Sequence, residues 1–173
     1  DILSWIPMKG KVVGAMTAPG PVLLNDFKKV TDAILFNIMP GQEYAKGLMN
    51  VLFGRVNPSA KLSFTMPNID NEQKMSEAQY PGTDDHWNST YSEKHHFGYR
   101  WYDQNKVKPS SEFGFGLSYT KFEYYGLKVD NDKKTVTFEV KNIGKVKGSG
   151  ITQVYLGVPE TDNFKDGYRS PKV

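Results

Sequence analysis

The sequence predicts an α/β fold, a partial α/β sandwich domain, followed by a partial all-β sandwich of the fibronectin-III-like kind. Three observations carry this expectation. Two short apolar runs, Lys11-Val12-Val13-Gly14-Ala15 and Asp32-Ala33-Ile34-Leu35-Phe36, read as buried strands. Ala45, Leu48, Met49 and Leu52 fall at i, i+3, i+4 and i+7, one apolar stripe on a helix. From Tyr124 onward the pattern changes to strict alternation, the signature of half-buried antiparallel strands.

The elements follow in order. Ala18-Pro19-Gly20-Pro21 breaks the first strand, and Val22-Leu23-Leu24 leads into a short helix towards Phe27. The second strand is apolar on both faces, which suits a parallel strand covered by helices. Pro40-Gly41 stops it. Glu43 then stands in the first turn of the main helix, where the helix dipole favours negative charge. Gly54 follows the last apolar position and is expected to end the helix. Leu62 and Phe64 alternate with Ser63 and Thr65 and read as a further short strand. Strand, helix and strand in succession is an α/β pattern.

Residues 67–109 are polar, turn-rich and studded with Tyr80, Trp87, Tyr91, Tyr99, Trp101 and Tyr102, so they read as a long aromatic loop. A loop of this length is more often functional or interface-forming than idle. Residues 1–122 are assigned to the α/β domain with this loop, and 123–173 to the sandwich. In the latter, Val136, Phe138 and Val140 alternate with polar residues, Asn142-Ile143-Gly144 turns the chain, and Val154, Leu156 and Val158 give another strand. A complete sandwich needs about seven strands and ~100 residues. The stretch is shorter than that, so the chain is expected to be a piece of a longer one.

Composition narrows the function classes. Aromatics make up 13% of the 173 residues, against a disordered chain. Net charge is only +3, from 22 basic and 19 acidic residues, which argues against a nucleic-acid partner. No apolar run approaches the ~18 residues of a membrane span. There is no cysteine, hence no disulfide framework and no thiolate metal site. Asp84-Asp85-His86 is the one ligand-like cluster, and a solvated turn explains it more simply; no metal and no cofactor is expected. His95 and His96 are adjacent and on a strand would face opposite ways. Asn88-Ser89-Thr90 is an N-glycosylation sequon in a polar stretch.

Four blocks, in order, resemble family 3 glycoside hydrolases of the β-glucosidase type. They are Gly20-Pro21-Val22-Leu23; Met39-Pro40-Gly41-Gln42-Glu43 with Gly54-Arg55-Val56-Asn57-Pro58-Ser59-Ala60-Lys61-Leu62; Tyr91-Ser92-Glu93 with Gly98-Tyr99-Arg100-Trp101-Tyr102-Asp103; and Phe113-Gly114-Phe115-Gly116-Leu117-Ser118-Tyr119-Thr120. The resemblance covers roughly residues 11–159. The sequence departs from the family pattern at Lys94, Phe115 and Tyr44-Ala45, which bears on local loop geometry.

The resemblance implies the C-terminal portion of an enzyme that hydrolyses β-glucosides from the non-reducing end with retention. It also implies a nucleophilic Asp in an N-terminal barrel and an acid/base Glu, both upstream of Asp1, so no catalytic residue is assigned to this chain. Tyr91, Glu93 and Trp101 are the substrate-facing candidates. Glu93 pairing with Arg100 to pin the loop, and aromatics packing a domain interface, are the competing structural readings. Gly114 and Gly116 are expected to permit a tight backbone path. The implied partners are a β-glucoside or oligosaccharide substrate and the missing barrel. The implied location is extracellular, or a secretory or lysosome-like compartment. The alternative is a non-catalytic carbohydrate-binding or structural relative that kept the scaffold.

Overall fold

The computed structural model describes residues 10–83 and 88–155. They form two compact units: the described parts of Asp1–Pro40, Leu62–Phe115 and Gln153–Val173 in one, Gly41–Lys61 and Gly116–Thr152 in the other. Both mix helix and strand or pair strand with strand, as a mixed α and β chain should.

The first unit opens with β1 (Val13–Thr17), α1 (Asn25–Val30) and β2 (Ala33–Asn37). β1 and β2 pair in parallel, Val13 opposite Ala33 through Thr17 opposite Asn37. The Asp32 carboxylate fixes the start of this pair, accepting from the Val12 N–H at 2.9 Å and from Lys11 Nζ at 2.8 Å. α1 is short but well made for its charges. Asp26 lies in its first turn and Lys28 and Lys29 in its last, each matching the dipole, and Thr31 Oγ1 donates to the Phe27 carbonyl at 2.7 Å. The strands are not fully buried as expected: β1 alternates exposed and half-buried residues, and β2 is mostly half-buried. α1 lies between the two strands in sequence.

The Leu62–Phe64 segment is not a strand. Leu62 N–H donates to the Phe115 carbonyl and Gly114 N–H to the Leu62 carbonyl, and Met66 pairs with Ser111 in a single antiparallel bridge. Pro67 follows at once, and a residue without an N–H cannot extend the ladder. Met66 is nonetheless the most buried side chain of the described residues, at 0% exposure. Phe64 packs edge-on against Phe36 of β2 at 6.2 Å.

The long segment expected to be irregular contains a helix, α3 (Tyr99–Asn105). It begins after Gly98 at φ 55° and ends at Lys106 in the left-handed conformation.

In the second unit a 3-10 turn, Gly41–Glu43, leads into α2 (Tyr44–Leu52). Gly54, at φ +69°, ends it as expected, donating to the Val51 carbonyl, while Arg55 and Val56 N–H groups both turn back onto the Asn50 carbonyl. Its apolar stripe is only partly covered, with Met49 and Leu52 each 42% exposed. β3 (Phe122–Asp130) and β4 (Thr135–Asn142) form an antiparallel hairpin, Phe122 opposite Asn142 and Asp130 opposite Thr135. A bulge between Tyr125 and Lys128 contains Gly126 at φ +67°. The Asp130 carboxylate receives the Asp132 and Lys133 N–H groups and shapes the turn. β4 was expected to be half-buried, yet only Phe138 is; Val136 and Val140 remain exposed. The hairpin is a two-stranded sheet among the described residues, and two strands alone are marginally stable without further strands or a helix on their apolar face. The expected strand at Val154, Leu156 and Val158 does not form at Val154, and its other two positions lie outside the described residues.

Candidate functional site

Two of the family-like blocks turn out to hold the second unit together. Asn57, 8% exposed, accepts at Oδ1 from the Tyr119 N–H (2.7 Å) and Ser118 Oγ (3.0 Å). Tyr119 OH reaches the Val51 carbonyl at 2.8 Å, and Lys61 Nζ donates to the Gly116 carbonyl. Thr120 Oγ1 donates to Asn142 Oδ1 at 2.7 Å, joining the block to the end of β4. A Cβ on Gly116 would stand 2.7 Å from the Ala60 carbonyl oxygen, so the tight path expected there is real. These are scaffold roles. Glu43 is another: it is exposed and pairs with Lys46 at 3.6 Å.

In the first unit a polar network fixes α3. Glu72 Oε2 accepts from Tyr102 OH (2.7 Å) and the Asn68 N–H (2.9 Å), and Oε1 accepts from Asn68 Nδ2 (2.8 Å). Partial desolvation pushes the Glu72 carboxyl up, but the three hydrogen bonds together outweigh it and hold the group below the usual glutamate value. Tyr102 is 4% exposed, and burial, then the bond to Glu72, push its hydroxyl well above the tyrosine range, so it stays a neutral donor. The network continues: Asn25 Nδ2 donates to the Asn68 carbonyl, Ser110 Oγ donates to Asn25 Oδ1, and Lys28 Nζ reaches the Ser110 carbonyl and the Ser110 and Ser111 hydroxyls. Glu72, Asn68 and Asn25 were not singled out from sequence. Their spacing carries no motif, since the partners are distant along the chain.

The substrate-facing candidates divide. Tyr91 and Glu93 share one turn, where Lys94 N–H bonds the Tyr91 carbonyl and His96 N–H the Glu93 carbonyl. Tyr91 is 76% exposed. Glu93 is half-buried, and its Oε2 accepts from Gln79 Nε2 at 2.8 Å, which with a backbone bond draws its pKa down. Gln79 is thus a partner of Glu93 that the sequence did not suggest. The Arg100 guanidinium lies over the Phe97 and Tyr99 rings at 5.4 and 5.5 Å. Trp101 sits on α3, edge-on to Tyr102 at 5.1 Å. Tyr99 stacks on Phe113 at 5.0 Å and meets Tyr155 edge-on at 6.0 Å, so it serves packing.

Asn88 is exposed. Asp84, Asp85, His86 and Trp87 lie outside the described residues. Among the described residues no group of three or more His, Cys, Asp or Glu side chains is placed to hold a metal ion.

Among the described residues with resolved shifts, Asp103 is the carboxyl pushed upward, by partial desolvation and then by the charge of Glu112. A raised carboxyl is what a general acid needs. Asp103, however, is exposed on the last turn of α3.

Residues 6–119 match the family model of the glycosyl hydrolase family 3 C-terminal domain. The chain is 35% identical over 160 residues to probable beta-glucosidase M of Neosartorya fischeri, covering 78% of this chain and 21% of that protein. It is 37% identical over 155 residues to thermostable beta-glucosidase B of Acetivibrio thermocellus, covering 86% and 20%. Among solved structures, the family 3 beta-glucosidase of Bifidobacterium adolescentis superposes with a TM-score of 0.79 at 28% identity, over 92% of this chain and 24% of that one. DesR, a beta-glucosidase of Streptomyces venezuelae solved with D-glucose, gives 0.71 at 36% identity, over 80% and 18%. The chain spans about a fifth of the length of the curated relatives it matches.

Proposed function

The chain belongs to glycosyl hydrolase family 3, as its C-terminal domain, and from that premise we propose that it works as the C-terminal part of a β-glucosidase. In this reading its first part belongs to an α/β sandwich domain, and its last part begins a fibronectin-III-like sandwich. The family match over residues 6–119 is the observation that carries the proposal. The geometry supports a supporting role: the family blocks around Asn57 and Ser118 bind each other.

A retaining glycosidase sets two carboxyl groups about 5–5.5 Å apart, one a nucleophile and one an acid/base. The nucleophilic Asp and the acid/base Glu are assigned to sequence upstream of Asp1, the former in a barrel domain. The carboxylates of this chain suit other work. Glu72 and Glu93 are held ionised by hydrogen bonds, which fits acceptors rather than proton donors. Tyr91, Glu93 and Trp101 are assigned to the substrate side. The substrate is a β-glucoside or β-linked oligosaccharide, cleaved from its non-reducing end. The sequon at Asn88 and the family together favour a glycosylated protein in an extracellular or lysosome-like compartment.

The test is hydrolysis of an aryl β-glucoside by the full-length protein, with the anomer of released glucose followed by NMR. The β anomer is expected first. Absence of turnover, or first release of the α anomer, contradicts the proposal.

A further inference from the structure

Tyr80 and Tyr91 are 74% and 76% exposed, far more than the other exposed tyrosines among the described residues, Tyr119, Tyr124 and Tyr125, at 44–48%. The chain segments that carry them are joined. Thr90 N–H donates to the Ala78 carbonyl at 2.8 Å, and Gln79 Nε2 donates to Glu93 Oε2 at 2.8 Å. Gln79 is itself held from the other side, its Oε1 accepting from the Ser76 N–H at 3.0 Å and Ser76 Oγ at 3.1 Å. Tyr80 N–H bonds the Ser76 carbonyl and Gly82 N–H the Glu77 carbonyl. The backbone under both rings is therefore fixed before anything binds, which lowers the entropic cost of binding.

The chemistry around the rings is selective. Ser76–Gly82 and Ser89–Glu93 contain no Leu, Ile, Val, Met or Phe; Ala78 and Pro81 are their aliphatic content. A protein interface core is rich in desolvated apolar and aromatic groups. Two exposed tyrosine rings carried on segments rich in Gln, Glu, Ser and Thr instead match a pyranose, which offers a C–H face for stacking and a rim of hydroxyls. Gln79 retains a second amide hydrogen, and a carboxylate has about four acceptor sites, of which Gln79 fills one and a backbone N–H another. Rings this open do not line an enclosed monosaccharide pocket; they suit the outer part of a longer glycan.

We propose that Tyr80, Tyr91 and the Gln79–Glu93 pair form a platform for the sugar residues of an oligosaccharide substrate beyond the glucose that is cleaved. The assignment rests on the β-glucosidase reading for its substrate class, and adds Tyr80 and Gln79 as specificity-determining residues.

The experiment compares kcat/KM for cellotetraose or laminaritetraose with kcat/KM for an aryl β-glucoside, in the full-length protein and its Tyr80→Ala, Tyr91→Ala, Tyr80→Phe and Tyr91→Phe variants. Each alanine variant should lower the oligosaccharide-to-aryl ratio about three- to tenfold, through KM, as expected for loss of one aromatic contact. The phenylalanine variants, which keep the ring, should keep the ratio within about twofold. A ratio that does not move in either alanine variant overturns the platform, as does an equal loss on both substrates, which is what a domain interface would give. If the unsubstituted protein turns over no aryl β-glucoside, the enzyme reading falls by itself. The platform is then read by calorimetric titration with cellotetraose: binding weakened by both alanine substitutions upholds it, and no binding or unchanged binding overturns it.

Discussion

The side chain on which α3 depends most is Glu72. It gathers the buried Tyr102 hydroxyl, the Asn68 N–H and the Asn68 amide on one carboxylate. Glu72→Ala leaves that hydroxyl unsatisfied, which costs about 1–3 kcal/mol. The expected readout is faster amide exchange across Tyr99–Asn105 in the full-length protein. Unchanged exchange would mean that the network is incidental. The sign of the pH dependence follows from the depressed carboxyl. Its stabilisation is fully present above the ordinary glutamate value of 4.5 and is lost as pH falls through the lower folded value. Glu72→Gln should therefore differ most from the parent near neutral pH, and the two should converge in acid. Asp103 gives a second residue-scale test. Its carboxyl is raised, yet the family reading places the acid elsewhere. Asp103→Asn should change kcat on an aryl β-glucoside less than about twofold, whereas loss of a general acid costs about 10²–10⁴. A loss of that size would move the acid into this chain.

Among the elements, two glycines of opposite meaning make a paired prediction. Gly47 is inside α2 with nothing within 4 Å of an added Cβ, so Gly47→Ala should stabilise by about 0.5–1 kcal/mol through backbone entropy. Gly116 would place its Cβ against the Ala60 carbonyl, a backbone atom that cannot swing aside, so Gly116→Ala should destabilise by about 1–3 kcal/mol. Denaturation midpoints moving in opposite directions are the expected result. The same elements show what the sequence made legible. α2 and β4 were readable because their periods of 3.6 and 2 are local. Their apolar residues did not become buried, because burial depends on the surface opposite, and no period reports that. α3 was unreadable: its seven residues begin after a glycine of positive φ and carry Tyr, Arg, Trp, Asp, Gln and Asn, a mix that composition assigns to a loop. Asn57 was visible inside a motif, but its hold on Ser118 and Tyr119 joins residues distant in sequence, and only coordinates bring them together. Tyr91 and Glu93 were singled out through the family pattern; Gln79, which donates to Glu93, carried no signal.

At the scale of the whole molecule the pattern is an apolar surface left uncovered. Among the described residues the buried apolar side chains are Leu24, Met66 and Tyr102, while Leu117, Leu127, Val129, Tyr124 and Val154 stand open. Hydrophobic burial is the main favourable term in folding, and so small a core cannot offset the conformational entropy of a chain this long. The isolated chain should melt over a broad range rather than in one cooperative step, and a sharp calorimetric transition would contradict that. In the proposed enzyme this chain supplies scaffold and a sugar-facing surface, and both catalytic carboxyl groups come from sequence outside it. The direct measurement is turnover of an aryl β-glucoside by the purified 173-residue chain beside the full-length protein. Release of aryl alcohol is expected from the full-length protein and none above the blank from the chain alone. Turnover by the chain alone would place the nucleophile and the acid within it and contradict their assignment to sequence outside it.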